Sequence, residues 1–257
     1  MYKYLIDQMT WSYSRIRAFE DCPYGFLLKY IYNEEPLKLF FSEYGSFMHE
    51  LIADLYTGNI TKQDCKIRYL KEFGQRVGTN SPSPDIFSKF FSQGLECIDR
   101  LSFLKGEVES IEKEIRFRIG AYDLCGFIDC VFRDENNSLV ILDHKSHDLK
   151  PRTNRKKPTV SDRELDEYLK QLYLYSIPIS EEFGKVPDYL AFNCYRTGVF
   201  IKEKYQQEQL AKAKQWVTDT IARIKGEHEW RPNINSWRCR YICDLHHVCD
   251  YYRLAGR

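Results

Sequence analysis

The sequence predicts a mixed α/β (α+β) fold. Apolar residues recur at helical spacing in the first 100 residues, the pattern changes to a two-residue period near residue 111, and helical spacing returns after residue 163. We expect one compact unit with three parts: an N-terminal helical region over residues 1–105, a core of strands and helices over 106–230, and a cysteine-rich tail over 231–257.

In the N-terminal region, residues 12–32 read as a helix, a proline turn and a second helix. Ser12 or Ser14 can cap the first helix, and Pro23 suits the first turn of the second. Residues 42–57 show helical spacing of apolar residues, with His49 on a neighbouring face. A polar helical region follows to about residue 104, interrupted by a turn at SPSPD, residues 81–85.

The core begins with strands. The first has its period-two residues at Ile111, Lys113, Ile115, Phe117 and Ile119. Further strands are predicted over residues 122–133 and 139–145, joined by the turn DENNS, and over 188–204, which folds back at Thr197-Gly198. Residues 164–177 and 205–226 read as helices, and the polar segment 148–163 reads as a loop or a mobile lid.

The composition limits the class of protein. Hydrophobic residues make up 43% of the chain and charged residues 29%, as is typical of a soluble globular protein. The 19 tyrosines and 16 phenylalanines exclude disorder as the main state. No stretch approaches the roughly 18 apolar residues of a membrane span. With 38 basic and 37 acidic residues the net charge is +1, which excludes a strongly basic coat but not a local basic patch.

Two carboxylates lie on adjacent predicted strands, so we expect them to be close together. Asp143 ends the apolar strand LVILD, and Lys145 shares its face by period two. Asp129 lies in the otherwise apolar strand CGFIDCVF, where a buried aspartate needs a partner or a metal. Carboxylates on adjacent strands can bind one hard divalent cation, which can activate water against a phosphate. Alone, Asp143 and Lys145 also fit an ordinary salt bridge at a strand end.

The segments GSFMHE, GFIDCV, LVILDHKS and QLYLYS, in that order, resemble the RecB-type branch of the PD-(D/E)XK nucleases. The resemblance implies a restriction-endonuclease-like core, with a central mixed sheet flanked by helices. It also implies an active site in which His49, Asp129, Asp143 and the backbone carbonyl of His144 bind catalytic Mg²⁺ or Mn²⁺. Lys145 would serve the attacking water and the phosphate. The remaining implied catalytic residues, one helical turn apart, are Gln171 and Tyr175.

The tail contains Cys239, Cys243 and Cys249 within eleven residues, among nine cysteines in the chain. Three cysteines so close together indicate a metal site. A four-coordinate zinc ion could take His246 or His247 as its fourth ligand.

An earlier cysteine is the other candidate for the fourth ligand. Cys22 lies in SYSRIRAFEDCPYGFLLKYIY, which resembles the N-terminal signature of the iron–sulfur subgroup of the same family, found in AddB-type nucleases and in the Cas-four type of CRISPR-associated exonuclease. The resemblance implies a 4Fe-4S cluster held by Cys22, Cys239, Cys243 and Cys249. The spacing of three residues between Cys239 and Cys243 departs from the usual two, which leaves zinc open. The other five cysteines read as buried packing residues.

Basic residues follow the predicted catalytic strand directly. They are candidate phosphate contacts, or simply a solvated loop: Lys150, Arg152, Arg155, Lys156 and Lys157.

We therefore expect a metal-dependent DNA nuclease, an exonuclease acting on single-stranded DNA or DNA ends. The alternative is a catalytically silent, metal-stapled DNA-binding adaptor. A zinc-binding regulator would explain the tail but not the carboxylates. The resemblance implies CRISPR integrase proteins or phage recombination proteins as partners, in spacer acquisition or in recombination and repair. The N-terminus shows no secretory signal, so we expect a reducing, cytoplasmic compartment and no membrane partner.

Overall fold

The N-terminal segment consists of short helices packed against the sheet. The computed structural model describes residues 2–77, 81–101 and 106–256. The segment contains α1 (Lys3–Asp7), α2 (Tyr13–Asp21) and α3 (Pro23–Phe26), which continues as a π-helical turn over Leu27–Ile31. Ser12, one of the two predicted caps, accepts a hydrogen bond from the Arg15 amide at 3.1 Å. Pro23 opens α3 as predicted.

Three longer helices form a second layer: α4 (Phe40–Tyr56), α5 (Lys62–Arg76) and α6 (Pro84–Arg100). Thr61 and Ser83 cap α5 and α6, which explains where those helices begin. Their apolar faces form a separate core cluster that includes Phe47, Tyr69 and Phe73. Because α4 is buried along this stripe, His49 on its neighbouring face is directed toward the sheet, within ion-pair distance of a β-strand carboxylate.

A five-stranded mixed sheet forms the centre, with the order β1-β2-β3-β4-β5. The strands are β1 (Gly106–Ile119), β2 (Tyr122–Asp134), β3 (Leu139–His144), β4 (Tyr189–Cys194) and β5 (Val199–Lys204). Only β3 and β4 pair in parallel, and helix α7 (Val160–Phe183) provides the connection between them. The sheet is therefore mixed and flanked by helices, as expected.

Strand β3 is buried on both faces of the sheet. Leu139 and Ile141 belong to the main core cluster with α7 and α8 (Gln207–Gly226), whereas Val140 and Leu142 belong to a small cluster on the other face. A strand buried on both faces reads as a continuous apolar run, which is why LVIL carried a clear signal in the sequence. Its carboxyl end carries the first polar residues, Asp143 and His144.

Helix α7 is longer than predicted. It begins at Val160, because Thr159 and Asp162 form a capping box, and it continues through Pro178 to Phe183. Burial of Ile179 beyond the proline keeps the helix on the sheet. The predicted boundaries of 164 and 177 were therefore wrong at both ends, since tertiary packing outweighs the missing amide of Pro178.

The pairing of β1 and β2 is irregular between Val108 and Ser110, and the two-residue period of both strands is broken further along. Ile115 lies in the main cluster and Ile111 against the opposite face, and likewise Ile128 and Cys130 belong to different clusters. The break falls at Glu112, whose φ of 48° is in the left-handed region. The expectation of one uninterrupted period was therefore wrong, and Glu112 lies opposite Asp129 between the pairs Ile111↔Cys130 and Lys113↔Ile128.

The tail folds back onto the N-terminal segment. Helix α9 (Ser236–Tyr241) is capped by Asn235, and a 3-10 turn follows at Tyr252–Gly256. Arg238 pairs with Asp21 at 2.6 Å, and the Tyr24 hydroxyl donates to Asp250 at 2.6 Å. The two ends of the described chain therefore form one structure.

The predicted lid is an ordered loop between β3 and α7. Leu149 is buried in the main core. Asp162 is buried and accepts hydrogen bonds from the amides and hydroxyls of Thr153 and Thr159, which hold its pKa well below the usual range. These contacts fix the loop at two points.

Within the described residues, none of the helices has both the length and the apolar character needed to cross a membrane. The predicted boundary near residue 105 lies outside the described residues, and the division into three parts stays a prediction.

Candidate active site

The two strand carboxylates lie side by side at the end of β3. The antiparallel pair Cys130↔Leu142 places the next residues, Asp129 and Asp143, opposite each other. Asp143 is only 5% exposed. Burial raises its pKa, and the nearby charge of Asp129 raises it further, against the opposing effect of Lys145. The carboxylates of Asp129 and Asp143 therefore lie close together where little water reaches them.

Lys145 connects this charge to helix α7. Its Nζ lies 2.7 Å from an Asp143 oxygen and donates to Gln171 Oε1 at 3.3 Å. The Gln171 amide in turn donates to the Tyr175 hydroxyl at 3.3 Å. Burial lowers the pKa of Lys145, but Asp143 more than compensates, so the pKa is raised and the amine stays charged. The predicted residues Asp143, Lys145, Gln171 and Tyr175 thus form one connected row.

His49 reaches the site from the helical layer. Its Nδ1 lies 3.5 Å from Asp129 Oδ2. The same oxygen accepts a hydrogen bond from the His144 backbone amide at 2.6 Å. Burial lowers the pKa of His49, but the hydrogen bond to Asp129 outweighs it, so the pKa is raised. Helix α4 and strand β2 therefore meet at Asp129.

The His144 side chain is held in its neutral form. Burial lowers its pKa to about 4, and its Nδ1 lies 3.1 Å from the Asn193 side-chain amide on the parallel strand β4. The neutral ring thus packs against the His49 ring, at a centroid distance of 5.8 Å. Its predicted role, through the backbone carbonyl, stays a prediction.

The sequence interpretation missed Glu112. Donor atoms of His49, Glu112 and Asp129 lie within 4.8 Å of one another, the only such trio of histidine, cysteine or acidic side chains among the described residues. Glu112 is one of several glutamates in β1, so no local pattern sets it apart. Its signal is the break in the two-residue period, which is visible only once the packing of both strands is known.

The donor set fits a divalent cation. A hard cation prefers oxygen ligands and accepts imidazole, and two carboxylates plus His49 provide both. Asp143 adds a buried carboxylate beside them, and its Oδ2 is the oxygen that pairs with Lys145. The arrangement can therefore hold a cation next to a fixed ammonium group.

The family model for the PD-(D/E)XK nuclease superfamily matches residues 10–250. The chain belongs to this superfamily. The predicted resemblance is thereby confirmed at the level of the superfamily, together with the core of a mixed sheet flanked by helices. Membership supports nuclease activity and a divalent metal at the acidic site.

One solved structure shares the fold of this PD-(D/E)XK protein. A crystal structure from Eubacterium rectale named "Putative exonuclease" matches with a TM-score of 0.54 and 17% identity, covering 98% of this chain and 90% of that one. A second, named SSO0001, has a TM-score of 0.33 and 16% identity, covering 81% of this chain and 96% of that one. No curated protein matches the chain.

The four predicted cluster cysteines line one cavity of about 330 Å³, although they come from opposite ends of the chain. Cys22 caps α3, and its Sγ accepts hydrogen bonds from the amides of Gly25 at 3.3 Å and Asn233 at 3.5 Å. All nine cysteines are free thiols. Of the five predicted packing residues, Cys65, Cys97, Cys130 and Cys194 are buried, whereas Cys125 is only half-buried.

The five predicted DNA-binding residues are all exposed on the loop after β3. Arg152 differs from the others because it pairs with Asp166 at 2.7 Å and Glu203 at 3.0 Å. Among the described residues, no carboxylate pairs with the other four, which are Lys150, Arg155, Lys156 and Lys157. Those four are therefore free to contact phosphates, whereas Arg152 is held by the fold.

Gly126 provides the space for Tyr175. A Cβ at this position would lie 2.5 Å from the Tyr175 hydroxyl oxygen. We expect Gly126→Ala to lower the free energy of unfolding by about 1 to 3 kcal/mol through overpacking, measured by denaturant titration. Gly74→Ala is the control, because nothing lies within 4 Å of its added methyl group. Since alanine favours the helical conformation more than glycine does, this change should raise the free energy of unfolding by about 1 kcal/mol. Equal stability of Gly126→Ala and wild type would contradict the contact.

Proposed function

We propose that this protein is a divalent-metal-dependent deoxyribonuclease that hydrolyses single-stranded DNA from its ends. The observation that carries the proposal is the convergence of His49, Asp129 and Asp143 on one site, with Lys145 held beside them. An adaptor would have no need for a charged lysine kept against a buried carboxylate.

The metal ligands would be His49, Asp129, Asp143 and the backbone carbonyl of His144, with Mg²⁺ or Mn²⁺ as the ion. Glu112, whose carboxylate lies within 4.8 Å of the donor atoms of His49 and Asp129, would be a further ligand. Such a cation stabilises negative charge on the phosphate and promotes ionisation of water. Lys145 keeps its proton and is positioned by Gln171 and by the aromatic ring of Tyr168, whose centroid is 5.5 Å from Nζ. Its charge would stabilise the transition state and orient the attacking water.

The preference for ends and for single strands has two supports. The Eubacterium rectale structure that shares the fold is named an exonuclease. The four unpaired basic residues of the loop after β3 provide phosphate contacts next to the site. Assignment to the RecB, AddB or Cas-four branch, and hence to CRISPR spacer acquisition or phage recombination with their protein partners, belongs to the same proposal.

We propose further that Cys22, Cys239, Cys243 and Cys249 hold a 4Fe-4S cluster. The support is their shared cavity and the amides directed at Cys22 Sγ, since hydrogen bonds to sulfur are typical of cluster ligands. A zinc ion needs thiolate sulfurs about 4 Å apart, from Zn–S bonds near 2.3 Å. A zinc ion held by three of these cysteines and by His246 or His247 is the alternative.

Anaerobic purification followed by a nuclease assay tests both proposals. We expect visible absorbance from sulfide-to-iron charge transfer, and degradation of end-labelled single-stranded DNA with Mg²⁺ or Mn²⁺. Circular single-stranded DNA should survive if ends are required. If the wild-type protein binds DNA but is as inert as Asp129→Ala and Lys145→Ala, the adaptor is the correct interpretation. A colourless protein that contains zinc would show that the four cysteines bind zinc and not a 4Fe-4S cluster.

A further inference from the structure

One aromatic side chain of the tail, Trp237, is exposed beside two half-buried rings. Trp237 on α9 is 58% exposed, whereas Trp11 and Trp230 are buried. Its ring lies 6.2 Å from the rings of both Phe41, at the start of α4, and Tyr241, one helical turn along. An exposed tryptophan within an aromatic group is a common feature of binding surfaces.

The surroundings of this group are basic. A cavity of about 300 Å³ next to it is lined by Lys38, Arg240 and His246 together with apolar side chains and Tyr241, and its lining contains neither aspartate nor glutamate. Arg240 is exposed and, among the described residues, no carboxylate pairs with it. Arg238, two positions earlier, is paired with Asp21. The Arg240 charge is thus available to an anionic ligand.

Helix α4 connects this surface to the active site. Phe41, Gly45 and His49 follow each other at intervals of four residues and so lie along one face, over about 12 Å. A second cavity, of about 530 Å³, begins one turn after Phe41 and is lined by residues of α4 together with Glu112 of the metal site: Gly45, Ser46, His49, Glu50, Ala53 and Asp54. The carboxylates of Glu50 and Asp54 are paired with Arg68. Nothing lies within 4 Å of a Cβ added at Gly45, so the groove is open there.

We propose that Trp237, Tyr241 and Arg240, together called the α9 platform, bind the substrate strand a few nucleotides from the scissile phosphate. An unpaired base stacks on Trp237, and Arg240 contacts a neighbouring phosphate. Stacking requires an unpaired base and tolerates any sequence, so the platform selects single-stranded DNA. This inference deepens the proposed function, because it specifies how the strand enters that site.

Binding of a fluorescent thymidine oligonucleotide, measured by anisotropy in EDTA, tests the platform without cleavage. We expect Trp237→Ala to weaken binding at least about fivefold, and Trp237→Phe to retain most of it because a ring remains. Arg240→Gln should reduce the slope of log affinity against log salt by about 1. The controls are Tyr4→Ala and Arg116→Gln, which remove an aromatic ring that is 74% exposed and a guanidinium that is 76% exposed elsewhere.

Saturating DNA should also quench tryptophan fluorescence in the wild type much more than in Trp237→Phe. Affinity of Trp237→Ala within twofold of wild type, or equal weakening with a blunt duplex, would overturn the platform. Because EDTA removes the metal, the result does not depend on catalysis. A protein that shows the Trp237 effect but never cleaves DNA would refute the proposed function alone, and the reverse result would refute the platform alone.

Discussion

Asp129→Asn should reduce the rate of DNA cleavage about a thousandfold or more. Of the proposed metal ligands, Asp129 makes the most contacts, because it lies beside His49 and Glu112 and accepts a hydrogen bond from the His144 amide. Loss of its charge removes several kcal/mol of transition-state stabilisation that a bound cation supplies. The rate should be measured with end-labelled DNA, and Mn²⁺ binding should be measured separately by titration calorimetry.

The fold should survive this change. Asparagine keeps the shape of the side chain, and loss of the charge removes a repulsion that raises the pKa of Asp143. Asp123→Asn is the matched control, because Asp123 lies on the same strand, is exposed and, within the part of the chain that the structure describes, forms an ion pair with Arg118 alone, at 2.9 Å. Cleavage and Mn²⁺ affinity near those of wild type in Asp129→Asn would show that the metal lies elsewhere.

Cys22→Ser should remove the visible absorbance of the proposed cluster and lower the melting temperature by about 10 °C or more. Cys22 and Cys239 are separated by more than 200 residues. If the cluster acts as a crosslink that restricts the unfolded chain, it would add up to about 5 kcal/mol to the free energy of unfolding. For a chain of this length, each kcal/mol lost from the free energy of unfolding lowers the melting temperature by about 2 to 4 °C.

Cys125→Ser provides the comparison for this variant. Cys125 is also a half-buried free thiol, but it lies on β2 and outside the cysteine cavity. We expect it to keep both the absorbance and the melting temperature. A Cys22→Ser protein with full absorbance and unchanged melting would mean that the tail cysteines act without Cys22, as a zinc site with His246 or His247 would.

The sequence was informative where one local rule determines the structure. The apolar run LVIL predicted a buried strand, and Ser12 and Pro23 marked helix starts, because capping and burial act over a few residues. Period two also placed Lys145 beside Asp143, as the distance of 2.7 Å confirms.

Features that depend on packing could not be read in this way. The continuation of α7 past Pro178 depends on burial of Ile179 against the sheet, which no local pattern reveals. Glu112 gains its place from a left-handed backbone conformation opposite Asp129. The anchoring of the basic loop depends on Asp162, which read only as a polar residue of that loop. In each case a contact between distant segments decides the structure.

The packing of the tail against the N-terminal helices has a consequence for biosynthesis. Tyr24 and Lys29 have their partners at Asp250 and Asp244, more than 200 residues later in the chain. The N-terminal helices are therefore synthesised long before these partners and before the three tail cysteines that share their cavity. Native contacts of such long sequence separation form slowly, and incomplete chains expose apolar surface meanwhile. Nascent chains of this protein are therefore expected to depend on chaperones until the tail docks.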